Sequence, residues 1–203
     1  MSIVDRLIRA AGPCGIVGGI ALAAAYLTHP SSAPPQTVAG TAWIWIHAGF
    51  MVSLVAGVFL LIALLAVYFR RGGGMAGFVG FALAIISLIF VAGLDYSEIF
   101  IFPTLATEYP EVVLRYGDGT SMPSVAFAFP VTGIIFMVGF VLFGWQLLVT
   151  ESVSRSAAIV TIVGTLIFAI GLSGLLPMIV VRTGAVVFGA GLALLGTSLW
   201  RLR

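Results

Sequence analysis

An all-α bundle of six transmembrane helices, with both termini in the cytoplasm, is the fold this sequence predicts, and three observations carry it. Of the 203 residues, 61% are hydrophobic and 8% charged, against roughly 25% charged in soluble domains. A chain so apolar has lipid for its solvent, and in lipid only helices and closed barrels satisfy every backbone group internally. Second, charged residues and prolines cut the apolar sequence into six runs. These are about 20 residues long or longer and lack the two-residue alternation of a barrel strand, so helices are chosen over a barrel. Third, the arginines are distributed unevenly between the two sets of loops.

The first span, Ala11 to Thr28, follows a basic start at Arg6 and Arg9. Ala23, Ala24 and Ala25 also imitate the small-residue cleavage site of a secretory signal. Gly15, Gly18 and Gly19 favour a retained helix packed closely against another. The second span, Ala42 to Phe69, opens on Trp43 and Trp45 as interfacial anchors and closes on Arg70 and Arg71. A tight turn at Gly72, Gly73 and Gly74 leads to the third, Met75 to Phe102, which Pro103 ends. The fourth, Val125 to Val149, contains Pro130, which predicts a kink, and Gln146, which predicts a bond to a neighbouring helix. The fifth and sixth run from Ala157 to Leu176 and from Thr183 to Trp200, with Trp200 as an inner anchor. The whole chain reads as a single transmembrane domain.

With the N-terminus inside, Arg6, Arg9, Arg70, Arg71, Arg155, Arg201 and Arg203 fall on the cytoplasmic side, and only Arg115 and Arg182 fall outside. The opposite orientation would invert that ratio. Asp5 sits beside the N-terminal arginines, and Glu108, Glu111 and Asp118 lie in the long outer loop. That loop, Pro103 to Ser124, is expected to be solvated; a cap over the bundle, built on Tyr109, Pro110 and Tyr116, is the alternative. The other outer loop, His29 to Thr41, is expected to be an extended connector because of Pro30, Pro34 and Pro35. Gly77 to Leu88 and Gly184 to Leu195 resemble one another faintly, which would make the two three-helix halves inverted repeats.

Residue counts exclude several functions. All nine basic residues are arginine, so no lysine can form a retinal Schiff base. His29 and His47 alone cannot ligate two haems across a bundle. A single cysteine, Cys14, makes no disulfide, zinc thiolate site or iron–sulfur cluster. No phosphate-binding glycine loop is present, and a net charge of +2 from helix-flanking arginines gives no nucleic-acid surface. No cofactor is expected.

The chemistry is expected where ionisable groups enter the bilayer, because each such group costs several kcal/mol by even the mildest scales. Asp95 and Glu98, spaced i, i+3, share one face of the third helix, and Tyr96 stands between them. His47 lies about 7 Å in from the outer end of the second helix at 1.5 Å per residue. Because these two helices form a hairpin, all three side chains fall at similar depth, and Arg182 at the outer start of the last helix can reach the same layer. The expected site is His47, Asp95, Glu98, Arg182 and Tyr96, exchanging protons or binding a cation. The alternative is a structural network that fixes helix packing. A metal site is not expected, since these residues lack diagnostic ligand spacing. His29 reads as a surface loop residue.

The stretch ending in Leu65-Ala-Val-Tyr-Phe-Arg70, followed by the one ending in Gly93-Leu-Asp-Tyr-Ser-Glu-Ile-Phe-Ile-Phe-Pro103, resembles a family of six-pass membrane proteins of bacteria and archaea. The resemblance covers His47 to Pro110. It implies a prokaryotic plasma-membrane location and no particular activity.

The function expected from these residues is binding of a small ligand, lipid or cation in an outward-facing intramembrane pocket, with coupling to proton transport. An accessory subunit of a larger membrane complex, pairing with itself or another subunit through glycine faces, is the alternative reading. An intramembrane enzyme ranks third, because no nucleophile–base arrangement is visible.

Overall fold

A computed structural model describes residues 2–30, 33–116, 121–173 and 176–201. Asp118 and Arg203, assigned above to the outer loop and the inner face, lie outside these residues. The described chain is all-helical: α1 (Ile3–Ala10), α2 (Gly12–Thr28), α3 (Pro35–Val38), α4 (Thr41–Arg70), α5 (Met75–Phe100), α6 (Phe102–Glu108), α7 (Pro110–Tyr116), α8 (Pro123–Val149), α9 (Arg155–Gly171) and α10 (Met178–Trp200).

Five helical stretches are long and apolar enough to cross a membrane: Ile3–Thr28, Thr41–Arg70, Met75–Glu108, Pro123–Val149 and Met178–Trp200. The fifth expected span is shorter than its apolar sequence suggests. Its helix, α9, ends at Gly171 after 17 residues, about 26 Å of rise. Conversely α10 starts at Met178, directly after Pro177 and five positions before the expected Thr183.

The six long helices close a ring. Each packs on its neighbour in sequence, from α2 to α4, α5, α8, α9 and α10, and α10 returns to pack on α2. Glycine permits the approach. A Cβ on Gly15 of α2 would lie 2.6 Å from the Leu192 carbonyl oxygen of α10, and one on Gly80 of α5 would lie 2.6 Å from the Phe143 amide of α8. Neither backbone can retreat without opening the helix contact. Inside the ring, Leu60, Leu64, Phe140, Phe143, Phe188 and Leu192 are buried, and Phe140 meets Phe188 edge-on at 5.0 Å. The outer faces carry exposed apolar residues such as Phe59, Ile89, Ile134 and Ile170, as a lipid-facing surface requires.

The α4–α5 hairpin fixes the register of everything that follows. Gly72 takes a left-handed φ of 78° in the turn, which glycine adopts at no steric cost. Tyr68, fully buried, then caps α5: its hydroxyl accepts the N–H of Gly74 at 2.8 Å and of Gly77 at 3.2 Å. The same hydroxyl donates toward Gln146 Oε1 of α8 at 3.2 Å, so one phenol ties three helices.

The two connectors expected on the outer side differ from expectation. The long one is helical, forming α6 and α7, and the shorter one contains α3. Together they bury a small core of Val38, Trp43, Ala106 and Val113, so the segment forms a small helical cap, although most of its residues, Tyr109 at 52% among them, stay exposed. α8 runs through Pro130 without interruption, although the missing N–H leaves the Ala126 carbonyl without its helical donor.

Candidate functional site

His47 sits early in α4 and Asp95 late in α5. The two helices run in opposite directions from the Gly72 turn, so comparable rise along each brings the side chains level. His47 Nδ1 lies 2.8 Å from Asp95 Oδ1, with side-chain exposures of 7% and 5%. A carboxylate there accepts the Nδ1 proton, which assigns the free lone pair of a neutral imidazole to Nε2. That Nε2 and the second carboxylate oxygen, Asp95 Oδ2, are buried without a hydrogen-bond partner. Buried polar atoms left in this way are rare in folded proteins.

Aromatic rings enclose the imidazole. Trp43, one helical turn before His47, places its indole 4.4 Å away, and Phe50 and His29 place theirs at 5.4 and 5.5 Å. The Trp43 N–H donates to the Glu98 carbonyl at 3.1 Å. His29 caps the C-terminus of α2 and pairs through Nδ1 with the Pro30 carbonyl at 2.8 Å. Burial holds this imidazole below its usual range, with the Pro30 bond acting the other way. Tyr26 extends the cluster, its ring tilted against that of Phe50 at 4.6 Å.

Arg182 enters this layer through a different contact from the one its charge suggests. Its guanidinium donates to the His29 carbonyl at 2.8 Å, where it offsets the negative end of α2, and its Nε is buried without a partner. Among the described residues the ion pairs are His47–Asp95 and Arg70–Asp5, so Arg182 bridges no carboxylate. Glu98 is half-buried on the Asp95 side of α5. Tyr96 is 54% exposed, turned about 100° around the helix from Asp95, and its ring lies tilted against Phe100 at 4.8 Å. The structure therefore joins His47 and Asp95, sets Arg182 and Glu98 beside them through backbone contacts, and leaves Tyr96 on the outer face of α5.

Two members were missed by the sequence reading. Trp43 is 5% exposed and belongs to the site and to the cap, whereas Trp45, at 73%, faces outward as an interfacial ring should. Spacing held the signal, since Trp43 is four residues before His47 and shares its face. His29 is half-buried rather than a surface residue; its place at the end of a helix antiparallel to α4 puts it at the same level.

No cluster of three or more His, Cys, Asp or Glu side chains suited to a metal occurs among the described residues. The pair can accept a proton at Nε2, accept hydrogen bonds at Nε2 and Oδ2, and hold one negative charge next to aromatic faces. Compared with known proteins, the chain matches no family model, no curated protein and no solved structure.

Proposed function

We propose that the chain is a six-span plasma-membrane protein with both ends in the cytoplasm. Its outward-facing layer binds a small cation or hydrogen-bonding ligand at His47 and Asp95 in competition with a proton, so that proton movement is coupled to transport. The single observation behind this reading is the buried pair, in which both partners keep a second polar atom without a partner. An ionised Asp95 beside a neutral imidazole carries one negative charge in a low-dielectric layer. A proton or a cation neutralises it, and binding one disfavours the other.

The topology is supported by the ring. α9 lies between α8 and α10 in the packing order, and its rise falls only a few ångströms short of a hydrocarbon core of about 30 Å. The orientation is supported by the gathering of Arg6, Arg9, Arg70, Arg71, Arg155 and Arg201 at the end of the bundle opposite His47.

Proton uptake into proteoliposomes containing a trapped pH dye, driven by an outward sodium gradient, tests the coupling. The wild type should take up protons above the empty-liposome background. Asp95→Asn and His47→Gln should fall to background while Glu98→Gln retains uptake with an altered pH profile. Wild-type uptake at background would sink the proposal.

A further inference from the structure

A cleft of about 460 Å³ opens at the end of the bundle opposite His47, between the last turns of α4 and α10 and the first turn of α9. Arg71, the C-cap of α4, and Arg201, the C-cap of α10, line it. Both are exposed, and neither makes an ion pair among the described residues. Neighbouring Arg70 is by contrast held by Asp5. Serine hydroxyls span the gap: Ser198 of α10, whose proton goes to the Leu194 carbonyl at 2.9 Å, lies 3.3 Å from Ser154, the N-cap of α9, and Ser154 lies 3.4 Å from Ser156. The opposing charge in the lining is Glu151, so the two guanidiniums leave the cleft net positive.

The contribution of α10 is ordered by depth. Leu194, Thr197, Ser198 and Arg201 all line the cleft, and their i, i+3, i+4, i+7 spacing makes one stripe along the helix. The stripe spans about 10 Å and passes from an apolar side chain, 37% exposed at Leu194, through two hydroxyls, to a guanidinium at the tip. A free anion needs only the tip. An amphipathic molecule lying along the helix meets the whole sequence: apolar chains beside Leu194, ester carbonyls beside the rotatable hydroxyls, and a phosphate at the arginines.

We propose that this cleft binds the headgroup of an anionic phospholipid, with its phosphodiester between Arg71 and Arg201 and its ester region against Thr197 and Ser198. The proposal rests on the membrane location of the chain and not on the His47–Asp95 pair. A zwitterionic headgroup carries no net charge to complement the excess guanidinium, which selects an anionic one. Inorganic phosphate shares the charged chemistry and lacks the apolar part.

Native mass spectrometry of the detergent-solubilised protein, titrated separately with phosphatidylglycerol, phosphatidylcholine and inorganic phosphate, decides the matter. The wild type should prefer phosphatidylglycerol over phosphatidylcholine by at least about tenfold, and R71Q/R201Q should weaken phosphatidylglycerol by about 30-fold, at roughly one basic residue's surface attraction per arginine. R155Q removes an exposed arginine of the same end that does not line the cleft and should bind as the wild type does. E151Q should bind several-fold more tightly, a gain that no loss of folding can imitate. R155Q weakening binding as much as R71Q or R201Q alone would overturn the proposal in favour of diffuse attraction, and so would unchanged binding by R71Q/R201Q. Inorganic phosphate binding as tightly as the lipid would overturn the assignment to a phospholipid.

Discussion

The indole N–H of Trp43 crosses from α4 to the Glu98 carbonyl of α5 at 3.1 Å, while the same ring is packed with Val38, Ala106 and Val113 of the cap. One side chain thus connects the outer cap to the layer that holds His47. Trp43→Phe keeps an aromatic ring and removes the donor. It should cost about 1 kcal/mol of stability and loosen α6 and α7 more than the helices below. Hydrogen exchange resolved by segment would show this, and uniform loosening of the bundle would contradict it.

The His47–Asp95 pair should behave as a unit. Removing either partner strands a buried polar group, so His47→Leu and Asp95→Leu alone should each lose about 3–5 kcal/mol. The double variant should lose clearly less than the sum, because no charge or imidazole remains unmatched. Thermal unfolding of all four proteins in one detergent closes the cycle. Simple additivity would mean that the two side chains do not interact in the native state.

Tyr68→Phe should destabilise the bundle by about 1–3 kcal/mol, since the Gly74 and Gly77 N–H groups and Gln146 Oε1 lose their shared partner. The tryptic sensitivity of the Arg70–Arg71 turn should rise with it. Gln146→Leu in the same background should then add little.

Gly15 of α2 and Gly93 of α5 should respond oppositely to a methyl group. Gly15→Ala drives a Cβ against the α10 backbone, whereas a Cβ on Gly93 meets no atom within 4 Å. The first substitution should lower the unfolding free energy and the second should leave it unchanged or raise it by up to about 1 kcal/mol of helix propensity.

At the N-terminus, Asp5 closes a capping box with Ser2 and pairs with Arg70. The Ser2 and Arg70 hydrogen bonds lower its carboxyl from 3.8 to about 2. A depressed carboxyl contributes stability that is fully present above its unfolded value and is lost as the pH falls through the folded one. Docking of α1 should therefore be constant above pH 4 and weaken between about pH 4 and 2. Limited proteolysis of residues 2–10 across that range should show the change in the wild type and not in Asp5→Asn.

The long helices are legible in the sequence because lipid demands continuous apolar length, and arginine, glycine and proline punctuate it. The failures lie where that demand lapses. At α9 the apolar character continues to Leu176 while the helix stops at Gly171, since hydropathy records solvent and not backbone path. The cap is hidden because α3, α6 and α7 are too short to show a period, and Val38, Ala106 and Val113 become a core only once they meet. The nearness of His47 to Asp95 follows from equal rise along a hairpin. The position of Arg182 does not, because its partner is the backbone oxygen of His29, which every residue carries and no sequence marks.

Because α2 is sealed against α10, with Gly12 and Gly15 meeting Gly196, α2 leaves the ribosome well before α10 and waits for it before its glycine face is covered. During synthesis that face is open to lipid or to quality-control factors. A nascent chain stalled before residue 178 would therefore lack the surface that hides it, and such fragments should be the ones that membrane proteases remove first.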